Sequence, residues 1–252
     1  MEEAAEELQP IEPEIGSPSL ILTEWERILL YGPGSTGKTF TAATAPEPQW
    51  WLTPGNKDEL KTMFSKEFLK KHGRKEFSIT SVLEDRQKGQ VMDNPSGYDR
   101  CCLAVDGFLE WNEREGIGTK TIIVDNATVL EEYMMSKAIF AEYMLASNVE
   151  KTVLKAERDF GIRRPHDTTY GGAQSFMDRW VSWLRELPFH LVFIAHDYEV
   201  SVPVYEGSRE RVLKSVRPLF VGVQRTSIPN KFSNVWYSMV SGGGRSRTWG
   251  IQ

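Results

Sequence analysis

The sequence is poor in the residues that mark disulfide-rich and membrane proteins. It has only two cysteines in 252 residues, and these are adjacent, at Cys101 and Cys102. Two neighbouring cysteines do not make a disulfide framework, so we interpret them as reduced thiols, which favours a cytoplasmic location. No apolar run approaches the ~20 residues that span a bilayer, and no signal peptide is recognisable. We therefore expect no membrane partner.

Positive charge is not in excess either. The chain carries 30 Lys and Arg against 35 Asp and Glu, a formal net charge of −5. This balance does not favour a protein covered by nucleic acid, although it leaves room for local basic patches. The first 14 residues hold six glutamates and no Lys or Arg. Because this segment is also poor in large apolar residues, we predict a flexible acidic arm over residues 1–20.

One motif stands out from this ordinary composition. Residues 32–39 match the pattern G-x-x-x-x-G-K-[ST], which is typical of the phosphate-binding loop (P-loop) of nucleoside triphosphatases. The residues of the motif are Gly32, Pro33, Gly34, Ser35, Thr36, Gly37, Lys38 and Thr39. An apolar run at 27–31 predicts a buried strand before it, and residues 38–45 are predicted to begin a helix.

The residue types of the motif suit a nucleotide. Glycines let successive backbone N–H groups converge on a triphosphate. Lys38 is expected to reach the β- and γ-phosphates, and the Thr39 hydroxyl is expected to ligate Mg²⁺. The sequence thus predicts ATP and Mg²⁺ as cofactors. The alternative is a tight glycine turn between a strand and a helix.

A carboxylate follows a second buried strand. Residues 121–124 are four β-formers, and they lead into Asp125. Ligands of parallel sheets bind outside the carboxyl ends of the strands, where an aspartate can hold the Mg²⁺ shell. The alternative is a structural aspartate at a turn.

The order of elements indicates the fold class. Strand and helix patterns alternate, which predicts an α/β fold with a mostly parallel sheet, helices on both faces, and closing strands at 234–240 and 247–252. An amphipathic helix is predicted over 174–187. Two stretches, 155–173 and 197–217, are predicted to be mobile polar loops.

Three segments together resemble a known family. Residues 31–39, 122–126 and 192–196 are similar to the RecA-like ATPase core, and more narrowly to phage-encoded ATPases of the single-strand-annealing type. The resemblance implies a RecA-like ATPase domain over 21–252, a homo-oligomeric ring or filament, and single-stranded DNA held by two mobile loops. It also implies a place in the host cell cytoplasm if the protein is phage-encoded.

The predicted DNA-binding loops are the stretches 155–173 and 197–217. Their cations could contact phosphates, and Tyr170 or Tyr198 could stack on a base. The selected cations are Arg163, Arg164, Lys214 and Arg217. The alternative is that both stretches are ordinary solvated surface loops.

The residue that activates the attacking water is not evident. Relatives carry an acidic residue after the strand that follows the P-loop helix, but residues 51–56 contain none. Glu84 is an alternative, and His196, at the end of the strand 190–195, is expected to contact the γ-phosphate or the water. It could instead be a structural histidine. A cation from a neighbouring subunit is a further option, and the candidates are Arg217, Arg225 and Lys231.

These observations leave several functions open. The leading hypothesis is an ATPase that hydrolyses ATP and binds single-stranded DNA in phage recombination or replication. A second is a nucleotide-gated assembly module with weak hydrolysis, which the absence of a carboxylate at residues 51–56 would favour. A third is a packaging or helicase-loading ATPase, which would favour a Glu where Asn126 stands.

Overall fold

A computed structural model defines the fold. It describes residues 25–55, 65–66, 69–70, 77–83, 95–145, 167–203, 211–220, 222–241 and 248–251. The predicted acidic arm, residues 1–20, lies outside the described residues. All structural statements refer to the described part of the chain.

Strands and helices alternate as expected. The strands are β1 (Arg27–Tyr31), β2 (Gln49–Pro54), β3 (Phe77–Val82), β4 (Thr121–Asp125), β5 (His190–Ala195), β6 (Asp197–Pro203), β7 (Arg211–Pro218), β8 (Asn234–Ser241) and β9 (Thr248–Ile251). The helices are α1 (Lys38–Ala42), α2 (Gly97–Glu115), α3 (Ala127–Leu145), α4 (Asp167–Glu186) and the single turn α5 (Gln224–Ser227). No helix in the described ranges has the length and apolarity needed to cross a bilayer.

The main sheet has seven strands in the order β3-β2-β4-β5-β1-β8-β9. All neighbouring pairs are parallel except β8 and β9, which pair antiparallel. The prediction of a mostly parallel sheet with closing strands at its end is therefore confirmed. The P-loop strand β1 lies in the interior of this sheet, between β5 and β8.

Both faces of the sheet are covered. Helices α2, α3 and α4 pack on one face, where Trp50 of β2 stacks on Phe108 of α2 with ring centroids 4.1 Å apart. Helix α1 covers the other face, where Trp51 is completely buried. These tryptophans, like Trp180 of α4, serve the core rather than a base-stacking surface.

The structure differs from the prediction at both stretches that were expected to be polar loops. Residues 197–217 fall largely in a two-stranded antiparallel hairpin formed by β6 and β7, not in an irregular loop. Of the stretch 155–173, the part from Asp167 onwards is helical and opens α4, while the remainder lies outside the described residues. Helix α4 therefore begins before the predicted start at residue 174. The Gly171-Gly172 pair does not break it, and at Gly172 α4 approaches Ala138 of α3 closely.

A polar cluster ties the amino ends of β1 and β5 together. The guanidinium of Arg27 donates to the carbonyls of Arg185, Leu187 and Phe189, and so closes the end of α4 against β1. The Glu26 N–H donates to Nδ1 of His190 at 3.1 Å. Burial lowers the pKa of His190 from its usual 6.5, and although nearby Glu26 opposes this shift, Arg27 adds to it.

This cluster predicts a pH dependence of stability. Because the folded pKa of His190 lies below its unfolded value, the unfolded chain takes up a proton first as the pH falls. The unfolding free energy should therefore decrease as the pH drops through about 6.5. His190→Asn should keep an acceptor for the Glu26 N–H and reduce this dependence. Urea unfolding of both proteins between pH 5 and pH 8 tests it; identical pH profiles would show that His190 does not contribute.

Candidate nucleotide-binding site

The carboxyl ends of three parallel strands meet around one pocket. The P-loop follows β1, Asp125 ends β4, and His196 follows β5. They line a cavity of about 370 Å³, within the range of ligand sites. Strand β5, which leads to His196, lies between β1, which leads to the P-loop, and β4, which ends in Asp125. The lining residues are Gly34, Ser35, Thr36, Gly37, Lys38, Thr39, Phe40, Asp125, Asn126, Ile194, Ala195 and His196.

Gly37 gives the P-loop a backbone turn at the start of α1. Gly37 stands at the N-cap of α1 with φ 86°, a left-handed conformation that glycine adopts without strain. Thr36 closes the loop on itself, because its hydroxyl donates to the Pro33 carbonyl at 2.9 Å. The tight glycine turn is therefore real, and it also forms one wall of the pocket.

Lys38 is held inside the loop. Its side chain is buried, and Nζ donates to the carbonyls of Gly32 at 2.8 Å and Pro33 at 2.6 Å. These carbonyls keep the ammonium group beside the pocket that it lines. A buried ammonium at the wall of a pocket is suited to phosphate oxygens.

Thr39 and Asp125 are brought into direct contact. The Thr39 hydroxyl donates to Oδ2 of Asp125 at 2.8 Å, although the two residues are 86 positions apart in sequence. A hydroxyl and a carboxylate are hard oxygen ligands of the kind that Mg²⁺ takes in proteins. The donor set therefore fits the predicted metal.

Asn126 connects the metal-side strand to His196. Its Oδ1 caps α3 by accepting the N–H groups of Thr128 at 2.8 Å and Val129 at 3.1 Å. The amide nitrogen therefore faces Nε2 of His196, 2.9 Å away. Because an amide NH₂ can only donate, this contact requires an unprotonated Nε2 and places the imidazole proton on Nδ1.

The main chain of His196 is fixed on both sides. Its N–H donates to the Thr128 hydroxyl at 3.1 Å, and its carbonyl accepts the N–H of Leu219 at 2.8 Å. Leu219 directly follows β7. His196 thus joins the pocket, the start of α3 and the end of the β6–β7 hairpin.

The pocket offers little for water activation. Glu84, the predicted water-positioning residue, lies outside the described residues. Strand β2 ends in Thr53 and Pro54, as the sequence showed, without a carboxylate. Among the described residues that line the pocket, Asp125 is the only carboxylate, and it already contacts Thr39.

Two of the four predicted DNA-binding cations lie in the described part of the chain. Arg163 and Arg164 lie outside the described residues. Lys214 lies in β7, where the pairing with β6 skips one residue. Arg217 is exposed on β7, opposite Tyr198 of β6.

The candidate cations for a neighbouring active site differ in their contacts. Arg225 donates to the Phe220 carbonyl and lies 4.1 Å from the ring centroid of Tyr198, so it covers one face of that ring. Lys231 forms an ion pair with Asp178 at 2.8 Å. Arg217, by contrast, is exposed.

Some site residues were missed in the sequence. In the sequence, Asn126 stands where a packaging ATPase would favour a Glu, but an Asn immediately before a helical pattern is also a typical N-cap signal. Thr128, which accepts from His196, carries no such signal. Ser238 of β8 donates to the Thr36 carbonyl of the P-loop at 2.9 Å, and it is distant in sequence.

Comparison with known families agrees with this geometry. Residues 25–212 match the family described as an AAA domain. The chain belongs to this family of P-loop ATPases. No curated protein matches the chain significantly. All pocket-lining residues fall within the matched AAA domain, whereas β8 and β9 lie beyond it.

The two bonds of Asn126 can be separated by substitution. Asn126→Ala should lose the α3 cap, at a cost of about 1 kcal/mol in unfolding free energy, and should also lower ATP turnover. In Asn126→Ser the side chain should still cap α3 but be too short to reach His196. This variant should therefore keep the parent's unfolding free energy and show lower ATP turnover. Chemical unfolding and steady-state turnover test this.

A control is available on α2. Ser96 occupies the N-cap position of that helix without a side-chain cap bond, so Ser96→Ala should change neither quantity. Turnover by Asn126→Ser at the parent rate would show that the contact with His196 is not needed.

Proposed function

We propose that this AAA domain binds ATP with Mg²⁺, hydrolyses it, and couples the nucleotide to binding of single-stranded DNA. The observation that carries the proposal is the 2.8 Å contact between Thr39 and Asp125 at the end of the P-loop. It brings a hydroxyl and a carboxylate together beside a buried lysine, which is the arrangement that a metal–triphosphate complex needs.

Each site residue then has a distinct task. Lys38 and the backbone N–H groups of the P-loop bind the phosphates. Thr39 and Asp125 would hold Mg²⁺. When bound, this ion would stabilise the negative charge that develops on the phosphate oxygens. His196 has the task of contacting the γ-phosphate or the attacking water, and its contact with Asn126, which orients the imidazole, supports this.

Two substitutions test the nucleotide site. Lys38→Ala should lose most ATP affinity, because the ammonium group attracts the negatively charged phosphates. Asp125→Asn should remove a charge from the metal shell and lower turnover at least about tenfold, with a much smaller loss of stability. Calorimetric titration with ATP and a phosphate-release assay measure these effects.

Matched controls lie away from the pocket. Lys120→Ala removes a lysine just before β4, at the opposite edge of the sheet, and Asp99→Asn breaks an ion pair with Lys137 on the helical face. Both should bind and hydrolyse ATP like the parent. Parent-like ATP affinity in Lys38→Ala would contradict the P-loop assignment, and normal turnover in Asp125→Asn would contradict its metal role.

The β6–β7 hairpin supports the DNA-binding part of the proposal. It starts directly after His196, and its second strand contains Arg211, Lys214 and Arg217. Arg217 is exposed, and the Tyr198 ring beside it is partly exposed. Cations and an aromatic ring on one short ribbon are the groups that bind a single strand. A phage-encoded, RecA-like recombination or replication protein that assembles into a ring or filament would use such a ribbon.

Salt dependence tests this role of the hairpin. Replacing Lys214 and Arg217 together by alanine should weaken single-strand binding and reduce its salt dependence by roughly one unit of slope per cation. ATP binding should stay intact. Fluorescence anisotropy across a salt series, with ATP present, measures it.

The control removes two cations elsewhere. Arg114 and Lys120 lie outside the hairpin, so replacing both by alanine should leave DNA binding unchanged. A parent protein without single-strand affinity at low salt would contradict the DNA-binding role and favour a protein partner.

A nucleotide-gated assembly module is the second candidate. It is favoured by the scarcity of carboxylates among the described pocket residues, where Asp125 already contacts Thr39. Such a protein would bind ATP tightly, turn it over slowly even with DNA, and change its oligomeric state with ATP. Turnover with and without single-stranded DNA, beside light scattering with and without ATP, separates the two candidates.

A further inference from the structure

The P-loop packs directly against β8, a strand distant in sequence. Strand β8 pairs in parallel with β1, with Tyr31 opposite Tyr237. Ser238 is the next residue of β8 and therefore lies beside Gly32, where the P-loop begins. Its side chain is buried and is not among the residues that line the pocket. Ser238 thus supports the loop from behind.

Ser238 contacts the P-loop at two separate points. Its hydroxyl donates to the carbonyl of Thr36 at 2.9 Å. Its own carbonyl oxygen lies so close to Gly32 that a Cβ on that residue would collide with it, so only glycine fits there. The start and the middle of the loop are therefore both set by one residue of β8.

The hydroxyl contact fixes the direction of a peptide plane. A trans peptide is planar, so its C=O and N–H point in opposite directions. The Thr36 carbonyl is turned towards Ser238, and the N–H of Gly37, which shares this peptide, is consequently turned away from β8. Gly37 lines the pocket.

We propose that Ser238 is a positioning residue of the nucleotide site: its hydroxyl holds the Thr36–Gly37 peptide so that the Gly37 N–H is directed at the bound phosphates. This inference rests on the proposed function, because it names a further residue on which ATP binding depends. Ser238 lies beyond residues 25–212, the part of the chain that matches the AAA domain.

A purely structural hydroxyl provides the comparison. Thr121, at the amino end of β4, is buried, and its hydroxyl donates to the Pro46 carbonyl at 2.7 Å. This contact is of the same kind as that of Ser238 but does not involve the P-loop. Loss of either hydroxyl removes one bond to a main-chain carbonyl, so stability alone cannot distinguish them.

ATP affinity distinguishes them. In calorimetric titrations with MgATP, Ser238→Ala should raise the Kd about fivefold, as expected from losing one hydrogen bond that pre-organises the site. Thr121→Val should bind ATP like the parent despite its own loss of stability. Ser238→Thr keeps the hydroxyl and should return the Kd to within about twofold of the parent. Ser238→Cys, of similar size but a weak donor, should be intermediate and serves if the alanine variant does not fold.

A second readout needs no nucleotide. In the free protein, the amide resonance of Gly37 should shift in Ser238→Ala and stay unchanged in Thr121→Val, because only the first frees the Thr36–Gly37 peptide. Parent-like ATP binding by Ser238→Ala, or equal weakening in both variants, would overturn the inference and leave the proposed function standing. A parent that does not bind ATP would overturn both.

Discussion

The site depends on the pairing of β5 with both β1 and β4. The parallel register places Ala195 opposite Tyr31 and Ile194 opposite Asp125, so the three strands end at nearly the same level. The P-loop, Asn126 and His196 come directly after these strands and must therefore meet in one place. A shift of register would move these groups apart and would turn the buried side chains of β5 to the wrong face. The completely buried Phe193, which packs on Trp180, opposes such a shift.

Beside the charged Lys38 and Asp125, the pocket edge holds an asparagine and a histidine that contact each other. Asn126 uses its oxygen for the α3 cap and its nitrogen for His196, so a single side chain fixes both the helix start and the imidazole. A carboxylate at position 126 could accept from the helix, but it could not donate to an unprotonated Nε2. The asparagine can make both bonds with one side chain.

Much of the fold could be predicted because its signals are local. The P-loop motif, the strand before Asp125 and the strand before His196 are each recognisable within a few residues. The hairpin could not be read in this way, since the residue skipped at Lys214 interrupts the alternation of β7. The start of α4 was not predicted because Gly171 and Gly172 normally indicate a break. At Gly172 the absence of a side chain instead lets α4 pack closely on Ala138. Ser238 was beyond sequence reasoning, because its role exists only once β8 lies beside β1.

The hairpin leaves and rejoins the domain at a single point. Asp197 pairs with Pro218, and the carbonyl of His196 accepts the N–H of Leu219, so both ends of the excursion are anchored at the same place. Because the ends of the segment already meet, a change in its length costs little loop-closure entropy. In evolution the ribbon can therefore lengthen or shorten beyond Tyr198, whose contact with Arg225 ties it to the rest of the domain, while the sheet and the P-loop stay the same. Because its two ends lie together, the hairpin is also a suitable place to insert a foreign recognition sequence into this domain.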